Sequence, residues 1–351
     1  MSLQPPDATG TDEVGDVVAA RRAHNEGLTT TRREGRSWGF AIGFLILLAA
    51  LPLLQFLGNA NYVLHMALYT FMYIAMTSAW NIVGGYTGYI SLGHNVFFGI
   101  GGYFSGMILA STGISTLITA PLAGLVAAAS GVLVGLITLR VRGPSFIISS
   151  IALLMIMRIV FDNWDYVGGS NGLSVPLIDL DVRWAKIPYF YAMLVIAVLT
   201  VIASYKVKHS KFGLGLRALS QDETKAESAG INTQAYKVAA FAISAFFVGM
   251  AGAIWGEYLT YIRPNIFLII LVAANMVLMA ILGGRGTVAG PIIGSILLIA
   301  FNEYFVYQFG ASEINILGTG VIMLVVLMFF PLGIVGSLAK KGRLPRFLDW
   351  D

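Results

Sequence analysis

The chain contains no cysteine, which excludes disulfides and every metal site that depends on a thiolate ligand. It is also poor in charge: only 11% of its 351 residues are Asp, Glu, Lys or Arg. Soluble domains carry about 25% of these residues. Hydrophobic residues make up 57% of the chain, so its composition is that of a membrane protein.

Several chemical signatures are missing as well. The phosphate-binding pattern G-x-x-x-x-G-K-[ST] does not occur, so the chain has no nucleotide site of that type. No cluster of His, Asp and Glu has metal-ligand spacing, and an enzyme within the membrane is poorly supported. Carboxylates are scarce inside the apolar segments, which argues against a carrier driven by a proton or sodium gradient. We expect no metal and no cofactor on this chain.

What the chain does have is a series of apolar runs of about 20 residues, long enough to cross a bilayer as helices. Glycine-rich breaks separate some of them. We predict an all-α, polytopic membrane protein with about ten transmembrane helices and broken or re-entrant glycine-rich segments. The predicted spans are 40–57, 62–83, 91–111, 117–139, 144–161, 188–205, 236–257, 266–283, 291–309 and 316–334.

Three regions follow from this pattern. Residues 1–39 are polar and contain five arginines, which predicts a disordered basic tail in the cytoplasm. Residues 40–336 form the transmembrane domain and include a long cytoplasmic loop at 206–235. Residues 337–351 form a second cytoplasmic tail. The longest outer loop, 162–187, is either an ordinary solvated loop or a contact surface for an external partner.

The placement of Lys and Arg predicts the orientation, because positive residues concentrate on the cytoplasmic side of a membrane. With ten spans and the N-terminus inside, 18 of the 22 basic residues fall on cytoplasmic segments. The other four, on the outer side, are Arg158, Arg183, Lys186 and Arg263. An odd number of spans would remove this asymmetry, so we predict that both termini are cytoplasmic.

The polar stretch 211–232 lies between two groups of spans and has helical periodicity. Its apolar face consists of Ala218, Leu219, Ala226 and Ala229, and its polar face of Arg217, Gln221, Asp222, Glu223, Lys225 and Glu227. Gly230 suits the position just past a helix end. A short amphipathic helix in the cytoplasm is either a docking element or a solvated connector, and periodicity does not separate the two.

The glycine-rich segment at residues 84–102 interrupts the apolar pattern. Backbone that leaves helical geometry at membrane depth must be buried in protein or line a cavity, and transporters place substrates at such breaks. Ser91, Gly93, His94 and Asn95 are therefore candidates for a permeation path. The structural alternative is close glycine packing around a hydrogen-bonded histidine.

Two further features of the membrane region are less specific. A second glycine-rich break, at 283–287, loosely resembles 84–88 and precedes Gly290 and Pro291. Glu303 lies past the midplane of the ninth predicted span. It is either a pathway residue or a carboxylate near the outer interface that is solvated or paired.

Five blocks together resemble the permease subunits of branched-chain (hydrophobic) amino acid ABC importers, in particular the larger of the two permease types. The blocks are 85–94 with 97–101, Arg142-Gly143 with 168–173, 212–231, 282–291 and 329–333. The resemblance runs in order from about residue 60 to 336. The combination is specific, whereas any single glycine block is weak.

The resemblance implies a transport subunit without enzymatic activity, which forms half of a translocation pathway for hydrophobic amino acids. It implies two ATPase subunits that bind the ATP, a second permease subunit, an external solute-binding protein and no nucleic acid. It also implies the plasma (inner) membrane of a bacterium or archaeon. Residues 40–336 would be the permease domain in the lipid bilayer.

The resemblance also gives a role to 211–232 as the cytoplasmic coupling loop that inserts into a groove on the ATPase. The residues implied are Arg217, Ala218, Leu219, Asp222, Glu223, Ala226, Glu227, Ala229 and Gly230. The loop departs from the general permease motif Glu-Ala-Ala-x-x-x-Gly, because Gly230 follows Ala229 at once.

Two alternatives remain open from the sequence. Related ABC permeases serve urea, amides and aromatic acids, so the substrate can differ within the same family. More distantly, the chain could be an ATP-independent carrier or channel for a small neutral solute. Transport by the purified chain alone would separate this second alternative from the first.

Overall fold

A computed structural model shows the fold and describes residues 45–58, 60–141, 143–176, 184–310 and 332–340, with a few isolated positions. The predictions for the tail at 1–39, most of the tenth span and the end of the chain beyond 340 lie outside the described residues. The elements below belong to one compact unit, Ala49–Arg343.

The described chain is almost entirely helical, which confirms the predicted all-α fold. Its helices are α1 (Leu54–Leu57), α2 (Asn61–Gly84), α3 (Asn95–Thr112), α4 (Thr116–Thr138), α5 (Pro144–Asp162), α6 (Lys186–His209), α7 (Lys211–Gln221), α8 (Glu223–Ser228), α9 (Thr233–Leu259), α10 (Pro264–Phe267), α11 (Ile270–Gly283), α12 (Ala289–Phe309) and α13 (Gly333–Lys340). Two short strands, β1 (Leu173–Ser174) and β2 (Tyr261–Ile262), pair antiparallel.

Among the described residues, seven stretches are long and apolar enough to cross a membrane. They are α2, α4, α5, α6, α9, α10 together with α11, and α12, and each coincides with a predicted span. A shorter apolar helix at Leu45–Phe56 lies where the first span is predicted, and α3, with 18 residues, lies where the third is predicted. The protein is therefore a multi-pass membrane protein.

Helix α9 packs against α2, α3, α4 and α6, and glycines bring it close to α3. A Cβ atom at Gly252 would lie 2.0 Å from the carbonyl oxygen of Phe98, and one at Gly101 would lie 2.0 Å from that of Gly249. Only glycine fits such backbone contacts, which small residues commonly make between membrane helices. Helices α4 and α5, in contrast, leave most of their apolar surface exposed.

Helix ends that the sequence assigns to one side of the membrane lie together. The Lys237 ammonium, near the start of α9, is 3.1 Å from the carbonyl oxygen of Leu139 at the end of α4. At the opposite ends, Lys186 of α6 lies 3.2 Å from the carbonyl oxygen of Asn61 in α2. This arrangement agrees with the predicted alternation of the spans.

Glu257 lies near the end of α9, with 1% of its surface exposed. Its carboxylate accepts hydrogen bonds from the amide of Thr116 at 2.8 Å, from the Thr116 hydroxyl, and from the Ser115 hydroxyl at 3.0 Å. These donors form the beginning of α4, so the carboxylate caps a neighbouring helix and its negative charge faces a helix N-terminus.

The outer loop 162–187 is held against the rest of the unit by the β1–β2 pairing, in which Leu173 pairs with Ile262. Val167 and Val175 of this loop are buried. Part of the loop therefore belongs to the packed structure.

Candidate functional site

The loop that the sequence predicts to be cytoplasmic, residues 206–235, contains two helices, α7 and α8, where the sequence predicts one. The break is at Asp222, whose backbone is extended (φ −159°, ψ 108°) and whose side chain accepts a hydrogen bond from the amide of Lys225 at 3.1 Å. An aspartate at this position ends one helix and caps the next. The Lys225 backbone hydrogen bond, assisted by the Lys225 side chain, lowers the pKa of Asp222 from its ordinary value.

Helix α8 ends as the sequence predicts. Gly230 has a φ of 86°, a conformation that favours glycine. Its amide bonds to the carbonyl of Glu227 at 2.9 Å, and the amide of Ile231 bonds to that of Ala226 at 3.1 Å. This pair of bonds is the Schellman motif, which stops a helix and turns the chain.

Two of the four residues of the predicted apolar face, Leu219 and Ala226, are buried in this subunit and not exposed for docking. Leu219 is only 3% exposed and Ala226 only 4%, so neither side chain is free to contact a partner. Gly215 lies on the ring of Tyr236 in α9, where a Cβ atom would be 2.3 Å from Cε1. The apolar periodicity therefore reflects packing on the membrane helices.

The exposed side of the loop is largely polar. It includes Lys211, Leu214, Arg217, Ser220, Gln221, Thr224, Lys225, Glu227, Ser228, Ala229 and Gly230, whereas Ala218 and Asp222 are half-buried. Leu214 is 62% exposed, and the sequence pattern did not single it out. An open groove of about 390 Å³ lies at the turn from α8 to α9, lined by Glu227, Gly230, Ile231, Asn232, Thr233 and Gln234.

Glu223 belongs to a buried ion pair, although the sequence assigns it to a polar rim. Its Oε1 lies 2.7 Å from the Lys237 ammonium, and its Oε2 accepts a hydrogen bond from the Tyr89 hydroxyl at 2.5 Å. The Lys237 and Glu223 side chains are 4% and 11% exposed. We call Glu223, Lys237 and Tyr89 the loop junction. No sequence pattern marks Tyr89 and Lys237 as partners of the loop, because they are distant from Glu223 in the chain or belong to another helix.

The first glycine-rich segment, residues 84–94, leaves helical geometry and is largely buried within this subunit. Ser91, His94 and Asn95 are each at most 1% exposed. The carbonyl of Ser91 accepts a hydrogen bond from the Trp80 indole at 2.8 Å. At Gly93 a Cβ atom would lie 2.4 Å from the carbonyl oxygen of Ser150, so α5 approaches this backbone closely.

The predicted pathway residues His94 and Asn95 connect this segment to two helices. The Nε2 atom of His94 lies 2.9 Å from the hydroxyl of Ser244 in α9. The Asn95 amide donates to the carbonyl oxygen of Ile269 at 2.7 Å, where the chain breaks between α10 and α11. The Nδ1 atom of His94 and the Oδ1 atom of Asn95 find no hydrogen-bond partner among the described residues.

The second glycine-rich segment lies against the first. The Asn81 side chain accepts a hydrogen bond from the amide of Gly286 at 2.9 Å and donates one to the carbonyl of Thr287 at 2.8 Å. A Cβ atom at Gly286 would lie 3.4 Å from the carbonyl oxygen of Gly85. The second segment is thus hydrogen-bonded to the end of α2, directly before the first segment, and Gly286 lies close to Gly85.

Glu303 lies apart from these contacts. It is half-buried in α12 and accepts a hydrogen bond from the Tyr62 hydroxyl, near the start of α2. The structure therefore pairs this carboxylate at the helix end that the sequence predicts to lie outside, whereas its role in a pathway stays a prediction.

Long apolar helices around buried glycine-rich breaks, with a folded loop between α6 and α9, define a multi-pass membrane protein. Comparison with known families makes this specific: the family described as "Branched-chain amino acid transport system / permease component" matches residues 62–330. The chain belongs to this family.

Individual relatives agree with the family. The chain is 28% identical to the permease protein LivM of the high-affinity branched-chain amino acid transport system of Escherichia coli K12, over 87% of this chain and 76% of that protein. It is 26% identical to the permease protein LivH of the same organism, over 75% of this chain and 91% of the relative. A probable LivM of Methanocaldococcus jannaschii is 26% identical over 68% of this chain.

No solved structure matches the chain significantly. The relatives confirm the resemblance to the larger, LivM type of permease, and the family indicates a transport subunit.

Proposed function

We propose that this chain is one of two permease subunits of an ATP-driven importer of branched-chain amino acids. An external binding protein delivers the amino acid, and two separate ATPase subunits supply the energy. Family membership supports the substrate class. The missing phosphate-binding motif supports a separate motor, because a permease without a nucleotide site needs one on another chain.

The observation that carries the proposal is the construction of the cytoplasmic loop. Both helices are capped at their starts, α7 by Ser210 and α8 by Asp222, and buried side chains anchor them to the membrane helices. A loop built in this way keeps its shape when a partner pushes on it. Its exposed side, with Leu214 and Arg217, is the surface that an ATPase would bind.

The amino acid would pass near the glycine-rich segments. The unpartnered Nδ1 of His94 and Oδ1 of Asn95 support this part of the proposal, because buried polar atoms rarely lack a partner. Urea, an amide or an aromatic acid remains the alternative substrate. Competition experiments test the choice, with each of these compounds and also isoleucine and valine added to a leucine uptake assay. Inhibition by isoleucine and valine alone supports branched-chain amino acids as the substrates.

Leu214→Asp tests the docking surface. Because Leu214 is exposed, the substitution leaves the fold intact but places a charge in the predicted interface. We expect copurification of the ATPase subunits and ATP-dependent uptake to fall about thirtyfold, as at the central contacts of protein interfaces. Leu219→Asp is less informative, because Leu219 is buried in this subunit.

The matched control is Tyr166→Asp, which places the same charge on a residue that is 77% exposed in the outer loop. This variant should retain the ATPase subunits. Unchanged copurification and uptake in Leu214→Asp would contradict the proposed docking surface.

A further inference from the structure

In the loop junction, a buried ammonium group has an acceptor for each of its protons, which a simple packing contact does not require. Lys237 has three ammonium protons, and three acceptors surround them: Glu223 at 2.7 Å, the carbonyl oxygen of Leu139 at 3.1 Å and the Tyr89 hydroxyl at 3.3 Å. Removing both charges from water costs free energy that only good geometry offsets. The junction therefore favours one relative position of the elements that contribute to it.

Those elements are the loop, the first glycine-rich segment, the start of α9 and the end of α4. Glu223 is the first residue of α8, and Tyr89 belongs to residues 84–94. The adjacent Gly88 lies near Ser220 of α7, because a Cβ atom added at Gly88 would be 3.7 Å from Cβ of Ser220. Both helices of the loop thus lie beside the same stretch of broken backbone.

The contact continues beyond this stretch. The Tyr89 ring packs edge-on against Phe146 of α5, with ring centroids 5.2 Å apart. On the other side, the carbonyl oxygen of Asn81 in α2 accepts the amides of Gly85 and Tyr86, and the Asn81 side chain bonds to Gly286 and Thr287 of the second segment. A continuous series of hydrogen bonds and packed side chains therefore runs from α8 to both glycine-rich segments.

We propose that Glu223, Lys237 and Tyr89 are positioning residues that transmit movement of the cytoplasmic loop to the two glycine-rich segments. This inference rests on the proposed function, since it takes the loop as the site where an ATPase acts. Backbone without regular helical hydrogen bonds changes conformation more readily than an intact helix. Movement of the loop can therefore change the backbone conformation of residues 84–94. The junction would convert ATPase closure into rearrangement of the membrane region.

The test uses the complete transporter, reconstituted with its ATPase and binding-protein partners, and compares Glu223→Gln, Lys237→Met and the double variant. The exposed docking surface is unchanged in all three. We expect the ATPase subunits to copurify and to hydrolyse ATP, while amino acid uptake per ATP falls about tenfold. The double variant should lose no more than the worse single variant, because both substitutions remove one interaction.

Two further variants separate transmission from folding. Tyr89→Phe keeps the ring and removes only the hydroxyl, so it should fold and lose about threefold in uptake per ATP. Asp162→Asn is the matched control: it disrupts an exposed ion pair with Arg158, 3.7 Å apart, far along the chain from the loop. The control should transport at the original rate.

A second measurement does not depend on transport. Because the chain has no cysteine, Thr224→Cys in α8 and Arg285→Cys beside Gly286 introduce two unique labelling sites, both exposed. Spin labels at these sites report how firmly the loop and the second segment are held together. We expect a narrow distance distribution in the original background and a clearly broader one with Lys237→Met.

Three results would overturn the inference. They are uptake per ATP that stays within about twofold in the Glu223 and Lys237 variants, loss of ATPase copurification in parallel with uptake, and an unchanged label distribution with Lys237→Met. Failure of the proposed function looks different, because the unmodified chain would then show no ATPase copurification and no ATP-dependent uptake.

Discussion

Single residues in this protein show how a charge is kept inside a membrane helix. Glu257 is ionisable and buried, the combination that usually marks a pathway or a coupling site. Its three hydrogen bonds come from Ser115 and Thr116, at the start of a neighbouring helix. The sequence places Glu257 near the end of a predicted span but does not show its role, because the donors lie 141 and 142 residues away.

Glu257→Leu tests this role as a cap. The substitution leaves the start of α4 without its acceptor and should lower the free energy of unfolding by about 2–3 kcal/mol, the range for hydrogen bonds to a charged group. Thermal unfolding of the purified subunit in detergent measures the change. Glu257→Gln, which keeps an acceptor oxygen, should lose less. Equal stability of all three proteins would show that the cap contributes nothing.

At the scale of the elements, the sequence predicted what is local. Hydrophobic runs predicted the spans, and glycine content predicted the broken segment at 84–94. Each of these signals is contained in a short stretch of sequence. The packing of the loop was not predictable in this way. Tyr89 is 134 residues from Glu223 and 148 from Lys237, and the apolar face of α7 and α8 looks the same whether it faces a partner or its own subunit.

The contact between α3 and α9 leads to a prediction about these elements. Gly252→Ala would place a Cβ atom 2.0 Å from the carbonyl oxygen of Phe98, so the two helices must separate. The expected loss of stability is about 1–3 kcal/mol, as for overpacked cores, despite the better helix propensity of alanine. Thermal unfolding in detergent measures it.

Gly58→Ala serves as the control for this prediction. Gly58 has an extended backbone with a φ of 173°, and a Cβ atom added there would meet nothing within 4 Å beyond its chain neighbours. This variant should unfold within about 0.5 kcal/mol of the original protein. A Gly252→Ala variant that is as stable as Gly58→Ala would show that the helices adjust without cost.

For the whole molecule, the fold and the family agree on a multi-pass transport subunit. The distribution of Lys and Arg predicted which helix ends share a side, since this signal is a property of the entire chain. The contact between the two glycine-rich segments was not predictable, because it depends on how α2 and α11 pack in three dimensions.

Liposomes that contain only this chain test the separate motor. Without ATPase subunits they should not concentrate leucine, with or without ATP inside, because the chain lacks a nucleotide-binding motif and a set of membrane carboxylates. Radiolabelled uptake measures this. Accumulation against a gradient by the chain alone would favour the ATP-independent carrier.

The cap between α9 and α4 also has a consequence for biosynthesis. Thr116 leaves the ribosome 141 residues before Glu257, which is roughly 7–30 s at ordinary rates of translation. During that interval Glu257 does not yet exist as an acceptor for the start of α4. The cap can form only after α9 has been synthesised, so the last turn of α9 completes a helix end made much earlier in the chain.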